Sequence, residues 1–224
     1  NRRIADCGHA TIATFSYLVQ SGLLNGEVSS KEILDGRRDI VLKGDMAFME
    51  QLRPTYVSAG PRTRQFLDSL GLQPEHLPER APIEIVNTGN AFAIIPVKTL
   101  DHLRLVKPDF DAISKLSAEF DLIGYYVFSE QTNTEGRDAS TRMFAPRYGI
   151  LEEAGTGMAA GPLACYLYDV LGRKKEKFLI EQGWFMDEPS PSVLTAELSV
   201  VAGKINSVMV GGKGMYSRSV TVDL

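Results

Sequence analysis

The sequence predicts an α+β protein of two similar halves, each a β-sheet curled around one buried helix. Three observations lead there. First, two segments resemble each other: "GHATIATFSYLVQSG" from Gly8 and "GMAAGPLACYLYDVLG" from Gly157. Each opens on Gly and small residues, continues as an apolar stretch of helical length, and stops at Gly22 or Gly172, where a C-terminal glycine belongs. Second, both are apolar on nearly every side (Ile12, Ala13, Phe15, Leu18, Val19; Leu163, Ala164, Leu167, Val170, Leu171). A helix apolar all round is buried rather than laid on a surface. Third, the rest of the chain reads mostly as strands that do not alternate with helices, which argues against a doubly wound parallel sheet.

Along the chain, strands are expected at residues 39–43, 46–52, 82–87, 92–97, 124–129, 141–145, 178–181, 193–201, 205–210 and 217–222, all rich in β-branched and aromatic residues. Short peripheral helices fit residues 61–70, ended by Gly71, and 109–120, with Asp109 as N-cap. Pro162 falls in the first turn or so of the second apolar helix, where its missing N–H is tolerated. "VVAGKINSVMVGG" reads as a hairpin with Ala202-Gly203-Lys204 as the turn. The prolines and charges of "PERAP", residues 78–82, interrupt the apolar pattern and set the boundary there. The first half is then residues 1–80 and the second 81–213, with 214–224 completing the first.

Composition excludes several functions. The net charge of −4, from 28 acidic and 24 basic residues, is dispersed over 224 residues. No basic stripe suggests nucleic acid, and no Lys/Arg block suggests an anionic membrane surface. The charge run Arg173-Lys174-Lys175-Glu176-Lys177 follows a glycine and reads as a solvated loop. The longest apolar runs, such as residues 91–97, are too short for the roughly twenty residues that cross a bilayer. Cys7 and Cys165 make no disulfide framework, so a reduced, cytoplasmic setting is expected. His9, His76 and His102 lie far apart with no second ligand at metal spacing, and no metal is expected. The chain opens on Asn1 rather than Met, as a processed chain or a piece of a longer product would.

The candidate site lies at the starts of the two apolar helices. The first N–H groups of a helix lack internal partners and carry partial positive charge, so that end attracts an anion. Gly8 and Ala10 leave one such end open, and Cys7 and His9 beside it titrate within reach of neutral pH. "EEAGTGMAAG", residues 152–161, again puts glycines and Thr156 at a helix mouth, with two carboxylates upstream. Gly155-Thr156-Gly157 is not a dinucleotide fingerprint, because Glu152 and Glu153 would repel a pyrophosphate and no strand–helix–strand unit follows. The P-loop spacing and the nucleophile elbow are absent too, and no cofactor is expected. Each stretch read alone also fits a blander account, a buried helix starting with small residues or a tight turn needing glycine. Together they predict a cleft where two helix mouths hold a small carboxylate, with proton transfer at a neighbouring carbon. Cys165 lies eight residues into its helix, roughly 12 Å from the mouth, so a two-thiol racemase is disfavoured.

These residues carry a resemblance. "CGHATIA" followed by "RMFAP…GILEEAGTGMAAGPL", with "VNTGNAFAIIPV" between, resembles the phenazine-biosynthesis PhzF-like family, relatives in fold of diaminopimelate epimerase. The resemblance covers essentially the whole chain. It implies two similar halves, each a barrel-like sheet around a central helix, and a homodimer without cofactors. It also implies an isomerase; the best-known member moves a proton around the ring of a dihydro-hydroxyanthranilate. His9 matches the histidine of the family's first element, and Glu153 stands at the position of a family aspartate. Gly8, Thr156 and Gly157 match the backbone that would hold a substrate carboxylate, with Cys7, Ala10, Gly155 and Met158 beside it. Arg142 matches a family arginine of either structural or substrate-contacting role.

The departures carry expectations of their own. The family's main acid/base glutamate lies upstream of the CGHAT element, on a segment that this chain does not contain. The native protein is therefore expected to have several dozen further N-terminal residues, including a Glu facing Gly8. Glu153 replaces Asp, Ala154 replaces Pro, and Met158 stands where a small polar residue usually does. Arg3 sits where members often carry an acid. The rival expectation is a catalytically impaired member that only binds a small carboxylate or serves a structural role. A two-cysteine racemase is weakest, since Ala154 stands near where the second thiol would be needed.

Overall fold

The computed structural model describes residues 8–33, 36–216 and 220–221. Its first helix, α1 (Gly8–Gln20), precedes strands β1 (Val28–Ile33), β2 (Gly36–Lys43), β3 (Met46–Gln51) and β4 (Thr55–Ser58) and helix α2 (Thr63–Asp68). Then come β5 (Glu84–Asn87), β6 (Ala91–Pro96), α3 (Leu100–Leu105), α4 (Phe110–Glu119), β7 (Gly124–Ser129), β8 (Ala139–Ala145) and β9 (Ile150–Glu153). The chain continues through α5 (Gly157–Asp169), β10 (Lys177–Gln182), β11 (Ser192–Val201) and β12 (Lys204–Gly212). The strands form one mixed sheet in the order β1-β2-β3-β12-β11-β10-β8-β7-β6-β5-β4, with β9 pairing β8 off this path. The β6–β7 and β8–β10 pairs are parallel, and the other pairs are antiparallel.

Alternation along the central strands sorts their side chains onto two faces, as the pleat requires. Val86, Phe92, Ile94, Tyr126, Phe128 and Met143 join the core around α5. Their neighbours Ile85, Ala93, Ile95, Tyr125, Val127 and Phe144 join a second core that includes Phe66, Leu103 and Ile113 from α2, α3 and α4. Helix α5 is buried along its length from Ala159 to Tyr168 and touches β5, β6, β11 and β12. In a flat sheet β5 and β12 would stand about 30 Å apart at about 4.8 Å per strand. One helix about 10 Å across reaches both, so the sheet bends around α5.

Helix α1 departs from the expectation of burial on every side. Gly8, Thr11 and Ser16 are buried, Ile12, Phe15, Leu18 and Val19 are half-buried, and Ala10, Ala13 and Tyr17 are exposed. Its inner stripe packs on Ile40, Leu42, Ala47 and Met49 of β2 and β3. Those strands cover one side of the helix. A further segment follows β12 along it: Ser16 Oγ accepts from Gly214 N (3.0 Å), and Gln20 Nε2 donates to Gly214 O (2.7 Å). Tyr216 stacks on Tyr17. The expected strand at 217–222 falls mostly outside the described residues, and Val220 and Thr221 are not in a strand.

Two local features yield stability predictions. The β11–β12 turn consists of Ala202 and Gly203, with φ of +51° and +77°, and Lys204 already pairs with Val201. Positive φ at both central residues defines a type I′ turn, which an L-alanine occupies at a cost of about 1 kcal/mol. Ala202→Asn is expected to raise stability by roughly that amount; a lower melting temperature would contradict the strain. In α5, a Cβ on Gly161 would stand 2.0 Å from Gln51 Oε1 and 3.1 Å from Val210. Gln51 uses its amide there, donating to Gly157 O (3.0 Å) and accepting from Thr88 Oγ1 (2.7 Å). Gly161→Ala must push this buried side chain off both partners, for a loss of about 2–4 kcal/mol. Urea denaturation of the variant measures it, and a loss under about 1 kcal/mol would mean that the site relaxes freely.

Candidate active site

The mouth of α5 is built by the short β9 strand and the turn after it. Pairing of β9 with β8 aligns Glu153 with Met143, and Ala154 and Gly155 lead to the N-cap, Thr156. Thr156 does not cap the helix with its hydroxyl; Oγ1 donates instead to Glu153 Oε2 at 2.9 Å. Gln182, at the end of β10 and fully buried, holds this turn. Its Nε2 donates to Glu153 O (2.6 Å) and Thr156 Oγ1 (3.1 Å), and its Oε1 accepts from Thr156 N (3.1 Å) and Tyr126 OH (2.9 Å). All four capacities of the amide are used. Gly183, next in the chain, has φ +88°, and a Cβ there would meet Ser190 O at 2.2 Å and Ala154 O at 2.9 Å. Only glycine admits this approach, which lets Ser192 Oγ donate to Ala154 O (2.6 Å).

The two helix mouths meet. A Cβ on Gly8 would lie 3.5 Å from Met158 Cγ and 3.9 Å from Met158 N. Thr156 O already accepts from Ala159 N and Ala160 N. Among the described residues, the N–H groups of Gly157 and Met158 have no hydrogen-bond partner, as at any open helix start. Beside this junction is a cleft of about 320 Å³. Gly8, Ile12 and Ala13 of α1 form its wall with Ala154, Gly155 and Gly157 at the α5 mouth, and Val193, Leu194 and Val210 supply further apolar surface. Lys213 lies in that wall, and its Nζ is 2.5 Å from Asp45 Oδ2. This contact holds the half-buried Asp45 carboxyl below its usual range.

Of the residues expected at the site, the structure brings Gly8, Gly155, Gly157 and Met158 together, with Gly155 and Thr156 buried. Glu153, Thr156 and Met158 are not part of the cleft wall. Glu153 is half-buried and tied to the Thr156 hydroxyl, and the Met158 sulfur accepts from Asn90 Nδ2 (3.5 Å). Ala10 is exposed on α1. Cys7 and Arg3 lie outside the described residues, and for His9 only its place in α1 is described. Cys165 sits in the core around α5, where burial pushes its thiol well up.

Arg142 lies on the sheet face away from α5, beside Phe144. Its guanidinium makes a two-pronged contact with Glu152 (2.9 and 2.8 Å) and donates to Leu103 O (3.3 Å) and Val106 O (3.0 Å). That set fastens α3 to β8 and β9, a structural role. Gln182, Gln51 and Asn90 went unread in the sequence. The one signal for Gln182 was a glutamine ending an apolar strand next to a glycine, "FLIEQG". No group of three His, Cys, Asp or Glu side chains able to hold a metal occurs among the described residues. None of the described helices is long and apolar enough to cross a membrane.

Fold and site together define an α+β protein whose mixed sheet bends around α5, with a cleft beside the junction of the α5 mouth and α1. The chain belongs to the phenazine biosynthesis-like protein family, PhzC-PhzF, whose family model matches residues 3–219. Among curated proteins it is similar to an uncharacterized isomerase of Clostridium acetobutylicum, 34% identical over 72% of this chain and 55% of that protein. It is also similar to the trans-2,3-dihydro-3-hydroxyanthranilate isomerase of Pseudomonas fluorescens, 32% identical over 75% of this chain and 56% of that protein. The aligned part is thus little more than half the length of these relatives. Among solved structures, a PhzF-family phenazine biosynthesis protein of Bacillus anthracis superposes with a TM-score of 0.80 at 23% identity, covering 94% of this chain and 73% of that one. The Enterococcus faecalis PhzF-family protein gives 0.66 at 23% identity, over 95% and 71%.

Proposed function

We propose that this protein is an isomerase that moves a proton on a small carboxylate held at the junction of the two helix mouths. The observation that carries the reading is the meeting of Gly8 with Met158, which sets the unpartnered N–H groups of Gly157 and Met158 at the start of α1. Two helix ends and two free donors favour an anion there. The apolar body of the substrate then lies in the cleft along Ile12, Val193, Leu194 and Val210. Held at the mouths, the carboxylate draws toward itself the charge left when a ring carbon loses its proton, which lowers the barrier to that loss and lets the carbon next to the carboxylate take the proton up. Glu153, fixed by Thr156 beside the mouth, and His9, on the first turn of α1, are the proton-handling pair. Cys7, Gly8, Ala10, Gly155 and Thr156 shape the mouths around it.

The same reading makes the protein cytoplasmic and homodimeric, each chain formed of two similar halves, 1–80 and 81–213, with a barrel-like sheet around a central helix. It uses no cofactor. One observation favours a second reading, binding without turnover: Met158 lies against Gly8 at the mouth and offers no hydroxyl. The experiment is incubation with trans-2,3-dihydro-3-hydroxyanthranilate in D2O, followed by NMR. Deuterium entering the ring carbon next to the carboxylate supports the isomerase. Saturable binding without deuterium uptake supports the second reading, and neither would defeat both for this substrate.

A further inference from the structure

We infer that the cleft takes an N-acylated α-amino acid, which completes with Val193 a rung that the sheet leaves open between β11 and β12. The inference deepens the carboxylate reading of the cleft and rests on it. Strands β11 and β12 pair from Val201–Lys204 down to Thr195–Gly211 and then part. Gly212 stays with β3, opposite Ala47. The next residues turn to α1, where Gly214 N donates to Ser16 Oγ (3.0 Å) and a Cβ on Gly214 would meet Ala13 Cα at 2.9 Å. The start of β11 is held elsewhere: Ser192 Oγ on Ala154 O keeps it at the turn before the α5 mouth. Val193 and Leu194 thus line one side of the cleft, and Gly212, Lys213 and Gly214 line another.

Register fixes which way the backbone of Val193 points. Leu198 N donates to Glu176 O (2.7 Å), so the β11 residues bonded toward β10 are Leu198, Ala196, Leu194 and Ser192. The alternate residues turn their N–H and C=O toward β12. Thr195 meets Gly211 there, whereas the register of Val193 falls on Lys213, which has left the ladder. Among the described residues, neither Val193 N nor Val193 O has a hydrogen-bond partner. Glycine at 212 keeps that oxygen approachable, since a Cβ there would stand 3.5 Å from it.

An antiparallel rung is completed by an N–H and a carbonyl-type oxygen on either side of one carbon, which is what an α-amino acid residue presents. A ligand residue in the place of Lys213 gives its N–H to Val193 O and takes Val193 N–H on one carboxyl oxygen, the other turning to the helix mouths. Its nitrogen is acylated rather than an ammonium, because the described residues of the wall include no acidic side chain to balance a buried cation. The acyl group covers the apolar surface of Ile12, Leu194 and Val210. At about 320 Å³ the cleft is at the small end of ligand pockets, which fits one acylated residue and not a peptide chain.

Amide hydrogen exchange followed by NMR tests the open rung. In the free protein Val193 N–H should exchange at least about a hundredfold faster than Thr195 N–H, which the ladder holds, and hippurate (N-benzoylglycine) should slow it. A Val193 amide as slow as that of Thr195 without ligand overturns the proposal. Calorimetric titration tests the ligand class. Hippurate should bind about three- to tenfold more tightly than 3-benzoylpropionate, which puts CH2 in place of the N–H; that is the share of one hydrogen bond. Gly212→Ala, whose Cβ makes only an ordinary contact with Val193 O, should fold normally and erase the difference. A difference that survives this change places the ligand N–H elsewhere and overturns the proposal. Equal affinities in the wild type also overturn it, and leave the carboxylate reading standing. No binding of either compound defeats both. Acetyl-trialanylglycine binding more tightly than hippurate would make the ligand a peptide end and overturn the small-molecule class.

Discussion

Glu153→Gln is expected to lower turnover by about 10²–10⁴-fold, the usual share of a general acid or base. The amide has nearly the shape of the carboxylate and its oxygen still accepts from the Thr156 hydroxyl, so the β9–α5 turn should keep its conformation. Binding of a simple carboxylate such as benzoate should change by less than about threefold, because the donors at the mouth are backbone N–H groups. Steady-state kinetics and calorimetric titration separate the two effects. A variant with undiminished kcat would remove Glu153 from the chemistry.

Arg142→Ala should instead act on stability. It strips Glu152 of its partner and leaves the carbonyls of Leu103 and Val106 without their donor. The side chains of the pair are 10% and 17% exposed, so Glu152 keeps a little access to water. Breaking a buried pair on one side typically costs about 3–5 kcal/mol, and the lower end applies here. Arg142→Lys should rescue little of it, since a single ammonium cannot make the two-pronged contact with Glu152 and also reach α3. Urea denaturation reads the loss. Turnover per folded molecule should be unchanged, because Arg142 faces away from α5; a drop in kcat with stability intact would make it a substrate contact.

The sequence was most legible where one property dominates. An all-round apolar run with a glycine at each end reads as a buried helix, and α5 is one. The same reasoning misjudged α1, because composition does not report how much sheet is available to cover a helix, and β2 and β3 cover one stripe of it. Strands β1, β4 and β9 went unread. The first, "VSSKEI", is a polar edge strand, and the other two are four residues long, too short for alternation to show. Helix α3 was missed too, although Thr99 accepts from His102 N as its N-cap. At the site, glycines and Thr156 were visible because helix mouths need small residues. Gln182 was not, since its partners come from β7 and β9 and from the α5 cap, far away in the chain. Glu152 read as a charge at the mouth; in the folded chain it belongs to Arg142 on the other side of the sheet.

The central claim is that an anion sits where α1 and α5 meet. A crystal structure of the protein soaked in benzoate tests it most directly. The account predicts the carboxylate within about 3 Å of Gly157 N and Met158 N, against Gly8, with the ring in the cleft along Ile12, Val193 and Val210. Benzoate bound elsewhere, with those two N–H groups facing only water, would contradict it.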